Sequence, residues 1–579
     1  MTSQSTLSKI TLFTHNTIPQ LFKPPLHLHT TSNDQLKCRS NTNLKPAKFF
    51  CKSMTTPQLQ YVQEESDVKH AKLVEVVREL IIRDNISDVK FEDLLMVDAL
   101  DRLGLDYHYE DEINLILQQC YLKFVNKDFM ERRNLYEVSL CFRILRQKGF
   151  PVSADVFELF KGNDVKFGEN LKYDIRGLME LYEASHLCIE GEQILDEAAT
   201  FSSHMLRKTL SFLDDEQARK VRYTLENPSR KNFTCFSLVN NSPKDTDAKM
   251  LKDLAELEHS MVKSTRRMEI NEIIRWCKDI GLEQDLTLAR NQPLKWYIVP
   301  MVSIPNPTLS QQRIDLTKIV SLIYIIDDIF DIYGTLDELK LLTKAVNMWD
   351  INAIDQLPYY MKSSVKAVYD ITNEIACKVY DKHGFNPIKS LQNSWATLCE
   401  AFLVEANWFA SGHIPKSKEY LKNGMVSSGV QVFLVHMLFL LADGVSKENV
   451  DLVDNNHGIV SSVSKILRLS DDLESEQDEN QDGLDGSYIK CLLMEDEHCS
   501  NTIAREHVKK MISDTWKCLN KECLSPNHFS NNLLTGSINL ARLVPSMYSY
   551  KQKSSFDLME EYIMSTLCHN NNNNTLSYY

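Results

Sequence analysis

The sequence predicts an all-α protein of two helical domains, and three observations carry that reading. From about residue 64 onward apolar residues recur at helical spacing, as in HAKLVEVVRELIIRD (70–84), where Leu73, Val76, Val77, Leu80 and Ile81 fall at i, i+3, i+4, i+7 and i+8. No alternating apolar–polar pattern competes with it as strand. The chain has 579 residues, longer than the roughly 250–300 at which a single hydrophobic core stops growing. The Asn-, Ser- and Pro-rich break NPSRKNFTCFSLVNNSPKDTD (227–247) is long enough to separate two units. The expected organisation is a leader over 1–52, an N-terminal helical domain over 60–235 and a C-terminal domain over 245–569.

The leader differs in composition from the rest of the chain. It holds seven basic residues (Lys9, Lys23, Lys37, Arg39, Lys45, Lys48, Lys52) against one acid, Asp34, amid many Ser and Thr, and acids return at QEESDVKH (63–70). Acid-poor, hydroxyl-rich leaders read as organelle transit peptides, and a plastid is the expected address, with the cytosol as the alternative. Taking that +6 from the chain's −14 leaves a body at −20, which repels nucleic acid. The longest apolar stretch, VQVFLVHMLFLLA (430–442), is interrupted by His436 and is shorter than the roughly 20 residues a membrane span needs. The 14 cysteines include no CxxC pair, which argues against a zinc site or a disulfide framework. No repeat of fixed period is present, so a helical solenoid is not expected. The end, HNNNNNTLSYY, is a polar low-complexity tail.

Two acidic clusters in the second domain carry chemistry. SLIYIIDDIFDIYGTLDE (321–338) sets Asp327, Asp328 and Asp331 in an otherwise apolar run. On a helix Asp327 and Asp331 share a face, with Asp328 about 100° away. Crowded carboxylates resist joint ionisation unless a cation sits among them, and a hard divalent ion with oxygen ligands suits them. Taken alone, the motif also fits a helix end whose acids reach solvent before the turn at Gly334. The second cluster, in LRLSDDLESEQDENQDGLDG (467–486), places Asp471, Ser475 and Glu479 at i, i+4 and i+8, one stripe down a helix that begins apolar. Magnesium keeps waters and is usually completed by substrate phosphates, so two sparse oxygen sites point to a phosphorylated substrate. Basic residues should flank them, and Arg468 and Arg290 fit.

On these residues the chain resembles a plant class I terpene synthase over essentially its whole length after the leader, and within that family the acyclic linalool and nerolidol synthase group. The DDxxD motif stands as DDIFD and the (N/D)DxxSxxxE motif as DDLESEQDE. LYEVSLCFRILRQKGFPVSADVFELFK (135–161), DIRGLMELYEASHLCIEGEQILDEA (174–198) and FLVEANWFASGHIPKSKEYLKNGMVSSG (402–429) resemble it too. The resemblance implies an N-terminal α-barrel-like domain that is not itself catalytic, a C-terminal class I α-bundle that is, and a monomer. It implies magnesium, three ions in all, with manganese as a substitute. Asp327 and Asp331 would hold two ions, with Asp328 in support; Asp471, Ser475 and Glu479 would hold the third. Arg290 and Arg468 would grip the diphosphate of a prenyl diphosphate, together with Asp327, Asp331 and Asp471 through the metals. Trp296, Tyr324 and Trp395 are candidates for the pocket wall, where aromatic faces guide a cation. No DxDD motif of the other cyclase class is present.

The chain departs from the family pattern twice. Where many members have RxR it has Arg290-Asn291-Gln292, and it lacks the N-terminal RRx8W motif, its adjacent arginine pairs being Arg132-Arg133 and Arg266-Arg267. In the family that absence goes with acyclic alcohols. A less tightly capped pocket admits water to quench the allylic cation. Linalool from geranyl diphosphate is the expected product, with nerolidol from farnesyl diphosphate or a cyclic monoterpene as alternatives. A prenyl-chain elongating enzyme normally carries two DDxxD motifs and is shorter, and a non-catalytic helical scaffold leaves both acidic clusters unexplained.

Overall fold

The computed structural model describes residues 56–82, 90–125, 133–162, 166–232, 246–281, 292–441, 450–451, 458–475, 487–496, 498–524 and 529–547. The expected leader lies outside them. Among the described residues the architecture is helical throughout, with one isolated antiparallel bridge, Lys161 to Phe167, in place of any strand. Helix starts obey local chemistry. Asn134 accepts from Glu137 N–H at 2.9 Å while the Glu137 carboxylate accepts from Asn134 N–H, a capping box that opens Leu135–Gln147. Asp174 and Asp214 cap Ile175–Ser185 and Asp215–Glu226, each side chain accepting at 2.8 Å.

Two large apolar cores form. The first gathers Leu100, Val138, Phe142, Phe157, Leu178 and Leu195 from the N-terminal helices. The second is built around Ser310–Asp328, which packs against Pro293–Ser303, Tyr359–His383 and Val430–Leu441. The long helix Thr246–Asp279 serves both, giving Leu251 and Leu254 to the first core and Ile270 and Ile273 to the second. The halves are also joined by polar contacts. Asn520 accepts from Arg230 Nε at 2.8 Å and donates to the carbonyls of His186 and Cys188 at 2.9 Å each.

Ser417–Leu441 is long and apolar enough to cross a membrane by composition, but 89% of the relevant window is buried inside the molecule. It is also broken into Ser417–Ser427 and Val430–Leu441 at Gly429, whose φ of +73° suits glycine and whose Cα lies so near Ile323 that a Cβ would meet Cγ2 at 2.7 Å. It is a core element.

Candidate active site

The helix Ser310–Asp328 is anchored through its polar first half. Arg313 donates to both oxygens of Glu269, at 2.6 and 3.0 Å, and to the carbonyls of Ile304 and Pro307. Tyr297 OH donates to the same carboxylate at 2.6 Å, and Lys378 pairs with Asp315 at 2.8 Å. Every residue from Arg313 to Asp328 is buried, so the far end is held rigidly, with Asp327 0% and Asp328 2% exposed.

The sequence spacing assumes a regular α-helix through Asp331. The structure instead converts to a π turn, Ile329–Tyr333, closed by Gly334 N–H donating to Ile329 O at 2.8 Å, with Asp331 half-buried within it. A Cβ on Gly334 would fall 2.3 Å from Leu339 Cδ2, so a larger residue there would have to displace the Leu339 side chain. Three carboxylates therefore lie where an α-helix ends, at the negative pole of its dipole, and two of them are removed from water. Both circumstances disfavour anions, and a bound cation offsets both.

The second cluster sits on Ile459–Ser475. Asp471 and Asp472 are buried, and Ser475 is the helix's last residue. Glu479 and Arg290 lie outside the described residues. Arg468 is 2% exposed and clamps a neighbouring helix: Nε donates to Gly424 O at 3.2 Å and Nη2 to Ser427 Oγ at 2.8 Å, with Tyr420 OH at 3.4 Å and Glu405 at 3.7 Å. A Cβ on Gly424 would stand 2.7 Å from Arg468 Nε, so only glycine lets the side chain lie so close. Burial opposes the guanidinium's charge, but Tyr420, Glu405 and Asp472 together hold its pKa above the ordinary value. Asp472, four residues on, accepts from Tyr420 OH at 3.0 Å and Tyr488 N–H at 2.9 Å, and burial pushes its carboxyl up to about 6 despite Arg468.

Of the aromatic candidates, Trp296 and Tyr324 are brought together, with ring centroids 5.9 Å apart, and both are buried. Trp395 is differently engaged. Its Nε1 donates to Thr372 Oγ1 at 3.1 Å and its ring meets His436 edge-on at 6.0 Å, tying Ile388–Ser411 to Tyr359–His383 and Val430–Leu441. Phe330, inside the π turn, packs on Phe402 at 5.3 Å, an aromatic pair that the motifs do not signal.

Residues 278–518 match the description "Terpene synthase family, metal binding domain", and residues 43–225 match "Terpene synthase, N-terminal domain". An (E)-nerolidol synthase of Cannabis sativa is 45% identical over 543 residues, 91% of this chain and 97% of that protein. The chain belongs to the terpene synthase family. A chloroplastic tricyclene synthase of Antirrhinum majus is 43% identical over 82% of each chain, and the chloroplastic S-(+)-linalool synthase of Arabidopsis thaliana is 40% identical over 89% of this chain and 91% of its own. Among solved structures, isoprene synthase from grey poplar, in complex with three Mg2+ ions and dimethylallyl-S-thiolodiphosphate, superposes with a TM-score of 0.80 at 33% identity, covering 88% of this chain and 98% of that one.

As a terpene synthase the protein is a divalent-metal-dependent lyase with a class I helical fold. The donor set of its two acidic clusters fits that chemistry, being carboxylate and hydroxyl oxygens suited to a hard cation. What the motifs leave out is the support of the second cluster: Glu405, Tyr420, Ser427 and Gly424 around Arg468. Glu405 is discernible as a lone acid in FLVEANW, whereas Gly424 carries no signal until its neighbour is known.

Proposed function

We propose that this terpene synthase converts geranyl diphosphate and water into linalool and inorganic diphosphate. The observation that carries the reading is the buried pair Asp327 and Asp328 at the end of a helix, continued by Asp331 in the π turn. Asp327 and Asp331, with Asp328 in support, and Asp471, Ser475 and Glu479 would hold magnesium, three ions in all, with manganese as a substitute. Bound there, the ions supply the concentrated positive charge that lets diphosphate leave as an anion. Arg290 would add a guanidinium to that field, and Arg468 adds a fixed charge one helical turn from Asp471 and Asp472. In the substrate the C1–O bond breaks, leaving charge shared between C1 and C3. Water adds at the tertiary C3 and gives up a proton to the departed diphosphate. The faces of Trp296 and Tyr324 stabilise the allylic cation.

Ring closure first needs rotation about C2–C3, which has partial double-bond character until diphosphate recaptures at C3. Gln292 in place of a second arginine and the missing N-terminal RRx8W cap weaken that recapture, so water wins. The similarity to a nerolidol synthase favours a second reading, farnesyl diphosphate giving nerolidol, and the address decides which substrate is met. The acid-poor leader and the chloroplastic names of two relatives favour a plastid and hence geranyl diphosphate. We place the leader at 1–52, the non-catalytic domain at 60–235 and the catalytic domain at 245–569.

The test is incubation of the purified chain with magnesium and each diphosphate in 18O-labelled water. One dominant 18O-labelled acyclic tertiary alcohol from geranyl diphosphate is expected. An unlabelled alcohol, or a mixture dominated by cyclic hydrocarbons, refutes the reading. A reporter fused to residues 1–52 that stays in the cytosol refutes the plastid address.

A further inference from the structure

Outside both acidic clusters, three side chains from separate elements converge in the N-terminal half. His70 comes from Thr56–Ile82, His108 from the short 3-10 turn Asp106–His108, and Glu258 from Thr246–Asp279. Both imidazoles aim Nε2 at one carboxylate oxygen: His70 Nε2 lies 2.5 Å and His108 Nε2 3.0 Å from Glu258 Oε2. One ligand atom from each residue falls within 4.8 Å of the others. The rings stand 5.4 Å apart and tilted, so neither blocks the other's approach. His70 and Glu258 are buried and His108 is nearly so.

The surroundings complete the arrangement. Tyr107 OH donates to the other oxygen, Oε1, of Glu258, the kind of outer hydrogen bond that fixes a ligating carboxylate. Arg78 Nη2 donates to His108 O at 2.8 Å and so holds the turn in place. Its positive charge is itself matched by Glu112 and Glu75. Donors around a tetrahedral zinc ion at about 2.0–2.1 Å stand about 3.4 Å apart. To ligate, each imidazole would carry its proton on Nδ1 and present the Nε2 lone pair.

We propose that His70, His108 and Glu258 form a second metal site that takes a borderline divalent cation, Zn2+ foremost, with water in the remaining position. Two imidazoles and one carboxylate select zinc-like ions over magnesium, whose ligands are oxygens, so this site and the acidic clusters discriminate between cations. The bound ion cross-links the first described helix and the Tyr107–His108 turn to the helix that runs from the first core into the second. Its effect is on stability, and it stands whatever the substrate of the enzyme.

Cobalt(II) tests this in the metal-stripped full-length chain, because a low-coordinate nitrogen-containing site absorbs visible light far more strongly than a six-coordinate oxygen site. Wild type and Asp327→Asn should both show one equivalent of intense absorption that Zn2+ displaces, and Zn2+ should raise the unfolding temperature of both. His70→Asn/His108→Asn should lose the absorption and bind Zn2+ at least about 100-fold more weakly. Should that variant fail to fold, Glu258→Gln and X-ray absorption of the zinc-loaded wild type decide the matter. Two imidazole scatterers on zinc support the site; none, or an intense cobalt spectrum unchanged in the histidine or glutamate variant, overturns it.

Discussion

Gly424→Ala isolates the clamp behind the second acidic cluster without touching a proposed ligand. The new Cβ would stand 2.7 Å from Arg468 Nε and 3.2 Å from its Cδ and Cγ, and these are stem atoms that cannot swing aside alone. The side chain must move as a whole, giving up the bond to Gly424 O at 3.2 Å and straining the one to Ser427 Oγ at 2.8 Å. Losing one hydrogen bond from a charged donor costs about 1.5–3 kcal/mol. Alanine returns about 1 kcal/mol through its higher helix propensity in the interior of Ser417–Ser427. The net expectation is a loss of about 0.5–2 kcal/mol. Because the displaced guanidinium lies one turn before Asp471 and Asp472, kcat/KM should fall about 10- to 100-fold, equivalent to about 1.4–2.7 kcal/mol. Thermal unfolding by circular dichroism and steady-state turnover of geranyl diphosphate read the two effects. A variant that melts higher than wild type with unchanged kcat/KM would refute the reasoning, since helix propensity alone would then be at work.

Buried polar groups supply two further perturbations. Burial lowers the pKa of His436 to about 4, its Nδ1 contact with Val432 O opposing only in part, and burial lowers that of His186 to about 3. Both values lie below the ordinary 6.5 that the unfolded chain recovers, so the unfolded state binds more protons between them and stability falls as pH drops from about 6.5 towards 4. His436→Phe should make that decline shallower by up to about 1.4 kcal/mol per pH unit, read as unfolding temperature against pH; an unchanged slope contradicts a neutral buried imidazole. Asn520→Ala removes the acceptor of buried Arg230 and the donor to two carbonyls across the domain contact. Calorimetry should register a loss of about 2–4 kcal/mol, and a loss under about 0.5 kcal/mol would mean the contact is replaced by water.

Helical period and the acidic motifs are legible in the sequence alone. Leu73, Val77 and Ile81 sit on one helical face because period reports burial, and the structure buries Val77 and Ile81. The motifs are legible because carboxylates in apolar runs have few bland explanations. The π turn is not, because nothing in the residue types of Ile329–Tyr333 distinguishes a π turn from a continued α-helix, and the bond from Gly334 N–H to Ile329 O that closes it shows only in the structure. Residue type alone groups Trp395 with Trp296 and Tyr324. Its bond to Thr372 and edge contact with His436 depend on which helices become neighbours, which periodicity does not specify. The convergence of His70, His108 and Glu258 is illegible for the same reason, with 150 or more positions separating each histidine from the glutamate.

The central claim is that the carboxylates at the end of Ser310–Asp328 hold the cations that drive ionisation, and Asp327→Asn tests it most directly. The amide keeps size and hydrogen-bonding capacity but loses the charge that balances a metal. Turnover of geranyl diphosphate at saturating magnesium should fall by at least about 100-fold, with the far-ultraviolet circular dichroism unchanged. Turnover within about tenfold of wild type, in a folded variant at the same magnesium concentration, would contradict the account.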